Sequence, residues 1–143
     1  MHYDFVRDLA DGHAGEDDVV QRLLSRVPSA RYLGSNHNSA GDIIMEMWGQ
    51  EYLIEVKTDI MSSKTGNIAI EYESRGKPSD IAVSKAPIWI FKYCGNRMRA
   101  VFLSRLKQAY TEGFHRVIGG DKGSRTKMFL VPVRVFETWG ITL

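Results

Sequence analysis

The sequence predicts an α/β or α+β fold: a central mixed β-sheet flanked by helices, in one domain spanning residues 1–143. Three observations carry this. Several short runs either alternate apolar and polar residues or are apolar throughout, the patterns of half-buried and fully buried strands. Two segments read as helices. Strands and helices do not alternate strictly, as a purely parallel βαβ fold would require.

From the N-terminus, Glu16 to Arg26 reads as an amphipathic helix. Val19, Val20, Leu23, Leu24 and Val27 recur at helical spacing, and Pro28 lies just past its end. Ser35 to Ala40 is a polar loop. Asp42 to Trp48 and Glu51 to Thr58 read as two strands of a hairpin turning at Gly49-Gln50. Met61 to Gly66 is a second polar loop. Asn67 to Glu73 alternates Ile68, Ile70 and Tyr72 against Ala69, Glu71 and Glu73, a half-buried strand. Ser74 to Asp80 (SRGKPSD) is a basic loop containing Gly and Pro. Pro87 to Tyr93 and Arg97 to Leu103 read as two more strands. Ser104 is placed to cap a helix running to Tyr110, ended by Gly113. Gly119 to Lys127 is a long basic loop, Met128 to Val133 a last strand, and the tail a helical turn.

Composition narrows the classes. The chain is long enough to enclose one core. No apolar run approaches the roughly 20 residues of a membrane span, and the N-terminus lacks the apolar stretch of a signal peptide, so a cytoplasmic protein with no membrane partner is expected. The single Cys94 excludes an internal disulfide and a Cys-rich zinc site, and its place after IWIFKY marks it as a small core residue. Charge is uneven. Residues 1–91 hold 9 Lys/Arg against 14 Asp/Glu, net −5, and residues 92–143 hold 10 against 3, net +7. An acidic site for a cation beside a basic surface for a polyanion would produce this division.

The chemistry centres on GDIIMEMWGQEYLIEVKTD, residues 41–59. Side chains two apart on a strand share a face, so Glu55 and Lys57 project together while Ile54 and Val56 point into the core. A hairpin partner brings the Asp42 end near Glu55. Two hard carboxylate ligands suit Mg²⁺, which also takes waters and substrate phosphate oxygens. Such a metal polarises a phosphate and lowers the pKa of bound water. Lys57 beside it can orient or deprotonate the attacking water, or stabilise charge on the phosphorus centre.

Asp42 followed a dozen residues later by Glu55-Val56-Lys57 resembles the PD-(D/E)xK nuclease superfamily. Gly41 stands where that pattern has Pro. The upstream helix also resembles members similar to Holliday-junction resolvases, with Glu16, or alternatively Asp17, ahead of the apolar pair Val19-Val20. The segment IAIEYESRGKPSDIAVSKAPIWIFKY is further similar to small phage-type nucleases of the superfamily. The resemblance covers roughly residues 14–93. It implies a restriction-endonuclease-like core and Mg²⁺ or Mn²⁺ held by Asp42, Glu55, the Val56 carbonyl and Glu16. It also implies Lys57 near the attacking water, and DNA cleavage leaving a 5′-phosphate and a 3′-hydroxyl. The enzyme expected is a duplex-specific endonuclease of homing or restriction type, with a branched-DNA resolvase and a catalytically inactive nucleic-acid-binding domain as alternatives.

Arg75, Lys77 and Lys85 around the SRGKPSD loop, and Lys122, Arg125 and Lys127 in the later basic loop, are the candidate DNA-backbone contacts. Glu71 and Glu73 share a strand face, either at the site or in solvent. Trp48, Trp89 and Trp139 are expected in the core. One site makes one cut, so cutting both strands of a duplex implies a homo-oligomer, a two-fold dimer or a pair of dimers.

Overall fold

A computed structural model describes residues 5–35, 42–119, 123 and 125–143, with side chains from Gly15 onward. The elements are α1 (Phe5–Arg26), β1 (Arg31–Ser35), β2 (Ile43–Met47), β3 (Gln50–Asp59), α2 (Ser62–Thr65), β4 (Asn67–Ser74) and β5 (Lys77–Pro78). A 3₁₀ turn (Asp80–Ala82) follows, then β6 (Ile88–Tyr93), β7 (Arg97–Phe102), α3 (Leu103–Tyr110), β8 (His115–Gly119), β9 (Thr126–Pro132), α4 (Val133–Phe136) and β10 (Ile141–Thr142).

The protein is mixed α+β. A six-stranded sheet runs β1-β2-β3-β6-β7-β10. Its β3–β6 ladder is parallel and its other ladders are antiparallel, which makes it the expected mixed sheet. A second, antiparallel sheet runs β5-β4-β9-β8. The sequence pattern pointed to one sheet. Alternation in Asn67–Glu73 reports a buried face but not the partner, and β4 pairs with β9, far along the chain. Ile68, Ile70, Phe129 and Val131 of the second sheet bury against Trp89, Phe91, Tyr93 and Phe136. On the other side, Val19, Val20 and Leu23 of α1 bury against Ile43, Ile54, Val56 and Ile90 of the large sheet. No helix among the described residues is long and apolar enough to cross a membrane.

Boundaries differ where local propensity misleads. Helix α1 begins at Phe5 rather than Glu16. Gly12 and Gly15 are weak helix formers, but at Gly15 the gap is used: a Cβ there would come within 2.1 Å of Thr58 Oγ1. The helix therefore crosses β3 closely. Helix α3 starts at Leu103, with no side-chain cap, so Ser104 lies inside it. The short strands β1, β5, β8 and β10 carry too few alternating residues to be read. Ser35 ends β1, and the rest of the expected 35–40 loop lies outside the described residues. Thr126 and Lys127 belong to β9 rather than to the preceding loop. Cys94 is half-buried against the inter-sheet core, as expected.

The hairpin pairs Met47 with Gln50, so it turns at Trp48-Gly49 rather than Gly49-Gln50. Both turn residues have positive φ, 50° and 77°, as the type I′ hairpin turn demands. Trp48 is consequently carried out at the tip and is 68% exposed, whereas Trp89 and Trp139 are buried as expected.

Gly140 returns the tail so that β10 pairs with β7. Its φ is 59°, and a Cβ would sit 1.9 Å from the Ala100 carbonyl oxygen. Gly140→Ala is expected to destabilise the fold by about 2 kcal/mol or more, measured by urea unfolding. An unchanged midpoint would show that the tail can leave β7 without cost.

Candidate active site

The hairpin register builds the site. Continuing the ladder past Ile43–Ile54 sets Asp42 opposite Glu55, and the Asp42 N–H donates to the Ile54 carbonyl at 3.0 Å. The Val56 N–H then donates to Asp42 Oδ2 at 2.8 Å. A backbone bond from the strand itself therefore pins the Asp42 carboxylate between Glu55 and Val56. Ile54 and Val56 are buried under α1, so Glu55 and Lys57 face the opposite side, toward Trp89.

Lys57 Nζ lies 2.8 Å from Asp80 Oδ2, 3.9 Å from Glu55 Oε1, and 5.7 Å from the Trp89 ring centroid. Burial pushes the Glu55 carboxyl up, and the adjacent negative charges of Asp42 and Asp80 add to this against the opposing pull of Lys57. The result is a carboxyl raised to about 7. Burial alone would push the Lys57 ammonium toward its neutral form. Asp80, by charge and hydrogen bond, then Glu55 and Glu71 more than offset that, and its pKa is raised. Burial and then Asp80 raise the Glu71 carboxyl too. The site is thus a group of acids around one cationic lysine.

Asp42, Glu55 and Lys57 are brought together as the sequence pattern led us to expect. Glu16 stands half-buried on α1, next to Gly15, which meets Thr58; α1 covers the Ile54 and Val56 face of β3, so Glu16 comes from the side of the strand opposite to Glu55 and Lys57. The expected pair Glu71 and Glu73 separates at an irregularity in the β4–β9 ladder. Glu71 joins the Lys57 group, and Glu73 pairs with Lys127 at 2.8 Å. Asp80 is a site residue that the sequence pattern did not reveal, because it closes a loop that reads as basic; a Ser-Asp step after Gly-Lys-Pro is a turn signal and the only local clue.

Among the described residues, no three Asp, Glu, His or Cys side chains are arranged to hold a metal ion. A metal held by Asp42 and Glu55 would therefore have two carboxylate ligands and would need a main-chain carbonyl, waters or substrate oxygens to complete its shell. That donor set is one Mg²⁺ accepts. The raised pKa of Glu55 fits it, since two crowded carboxylates away from water gain most from a divalent cation.

The basic candidates gather largely at one rim. Arg75 is exposed at the β4–β5 turn with φ 54°, and Lys77 is exposed on β5. Arg125 is exposed just before β9, and Ser74 Oγ lies 3.4 Å from Thr126 Oγ1, which joins the two segments. Strand β4 links rim and site, carrying Glu71 beside Lys57 and Glu73 beside Lys127. Lys85 is exposed after the 3₁₀ turn, and Lys122 lies outside the described residues.

No family model matches the chain, and neither does any curated protein or solved structure. What the site can do is therefore argued from its residues and their geometry.

Proposed function

We propose that the protein is a metal-dependent DNA endonuclease of the PD-(D/E)xK kind, with a restriction-endonuclease-like core, cutting duplex DNA in the cytoplasm to 5′-phosphate and 3′-hydroxyl ends. The observation that carries this reading is the Asp42 carboxylate pinned on the Val56 N–H beside Glu55, with Lys57 on the same strand face. Asp42 and Glu55, with the Val56 carbonyl, would hold Mg²⁺ or Mn²⁺, with Glu16 acting at most on its water shell; when bound, the metal supplies an activated water and charge neutralisation at the phosphate. Lys57, held at 2.8 Å by Asp80, would orient or deprotonate the attacking water, or offset negative charge on the phosphorus centre. Arg75, Lys77, Lys85, Lys122, Arg125 and Lys127 would hold the DNA backbone.

The test is incubation with supercoiled plasmid and with a synthetic four-way junction, in Mg²⁺, Mn²⁺, Ca²⁺ or EDTA. Cleavage of plasmid in Mg²⁺ and Mn²⁺ is expected, with Ca²⁺ supporting binding but not turnover, because its looser shell misplaces the water. Full activity in EDTA would refute metal dependence, and cutting confined to the junction would replace the duplex reading by a resolvase. DNA binding without cleavage under every condition would favour an inactive binding domain.

Two further expectations belong to this reading. Replacing Lys122, Arg125 and Lys127 together by Gln should flatten the salt dependence of duplex binding by about 0.9 log unit for each phosphate no longer neutralised. An unchanged slope would show that this segment does not touch the backbone. Paired cuts in a duplex also call for a two-fold dimer or a pair of dimers. Light scattering should report it, and a monomer making coordinated double-strand breaks would contradict it.

A further inference from the structure

We propose that Asp80 is a positioning residue for Lys57, an inference that rests on the nuclease reading above. A lysine is by nature loosely placed. Its four-carbon stem and point charge leave the ammonium free to sample many positions, and the Lys57 side chain is 34% exposed. Within its own strand its partner is Glu55, at 3.9 Å. Left to that partner alone, Lys57 would either swing outward or collapse onto Glu55, occupying the carboxylate a metal needs. Asp80 prevents both. Its Oδ2 takes the ammonium at 2.8 Å and draws it off Glu55, while the Trp89 ring bounds the other side.

The backbone carrying Asp80 is built to hold still. Its φ is 45°, the left-handed region that non-glycine residues enter at a cost and Asp enters more readily than most. Such a conformation persists where its surroundings over-determine it. Here Ile81 is anchored in the inter-sheet core at 2% exposure. The Asp80 carbonyl accepts the Val83 and Ser84 N–H groups at 3.1 and 2.8 Å. Ser84 Oγ in turn accepts the Ala86 N–H at 3.2 Å and Trp89 Nε1–H at 3.3 Å. One short segment therefore fixes both the carboxylate and the ring that bracket Lys57. The placement matters because small displacements of a reacting group cost large factors in rate.

The test uses Asp80→Asn and Asp80→Gly. Asn tolerates the left-handed backbone and Gly relieves its strain, so both variants are expected to fold. Two readouts are taken: kcat and KM on duplex plasmid with Mg²⁺, and ¹³C relaxation of the Lys57 Cε by NMR. The expected result is a kcat lowered roughly tenfold to a hundredfold, KM near wild type, and a Lys57 Cε more mobile than in wild type. Wild-type kcat in both variants would overturn the proposal, as would a lowered kcat with Lys57 as ordered as before. If the wild-type protein does not cleave, the nuclease reading fails by itself and the relaxation measurement alone decides: greater mobility in the variants upholds the positioning, and equal mobility ends it.

Discussion

Replacing Lys57 by Ala is expected to lower DNA cleavage by at least about a hundredfold while the protein stays folded. Asp42→Ala and Glu55→Ala should do the same. Glu55 and Lys57 lie on the strand face away from α1, so their removal opens no cavity in the core that holds Ile54 and Val56. On the proposed mechanism their loss would instead remove the charge that acts on the phosphate. Asp42 differs in one respect, because its carboxylate also accepts the Val56 N–H, and its alanine variant should lose a little stability as well, about 1 kcal/mol. Glu16→Ala should cost less activity than any of the three, since from α1, on the other face of β3, it would at most adjust the metal's water shell rather than supply its main ligand. Turnover assays on matched preparations, with circular dichroism to verify folding, check this. Near wild-type cleavage by pure Lys57→Ala would remove the mechanism.

The second large effect is on stability against pH. The Glu55 carboxyl is raised in the folded protein from an ordinary 4.5 to about 7. The folded state therefore holds its proton more tightly than the unfolded chain does. In metal-free buffer the fold is most favoured, with respect to this group, below the unfolded pKa. Stability then falls as pH rises through the folded value, by an amount on the order of 3 kcal/mol at most. Glu55→Gln removes the charge while keeping the shape, and should unfold at higher urea than wild type at about pH 8 but not at about pH 5. Mg²⁺ should recover much of the difference in wild type and little in the variant, because it binds the ionised pair. Parallel stability profiles for the two proteins from pH 5 to 8 would show that Glu55 is not held in this way.

The site was legible where it is local. Glu55 and Lys57 share a face by the period of a strand, and one hairpin carries Asp42 to them. Even here the register mattered. A turn at Gly49-Gln50 would set Asp42 opposite Lys57, and the observed turn at Trp48-Gly49 sets it opposite Glu55. The two registers differ by two residues, so either turn keeps Asp42 on the shared face, and the observed one sets it opposite Glu55, the expected neighbour. Trp48 was misplaced for the same reason, since a turn residue with positive φ is carried out of the core. The Lys57–Asp80 pair was not legible, because nothing between them in sequence reports that the SRGKPSD loop folds back to β3. The second sheet was hidden likewise: β4 shows its buried face in its own residues, but β9 meets it only in space, and β8 pairs in turn with β9. Lys127 reads as a free cation in sequence and is half-committed to Glu73 in the fold.

The central claim is that Asp42, Glu55 and Lys57 form one metal-dependent centre for breaking phosphodiester bonds. The most direct measurement is end analysis of plasmid cut by wild-type protein and by Lys57→Ala purified in parallel, each with Mg²⁺ and with EDTA. The account predicts 5′-phosphate and 3′-hydroxyl ends from wild type with Mg²⁺, and intact plasmid in the other three reactions. Equal cleavage by Lys57→Ala, or cleavage by wild type in EDTA, would contradict it.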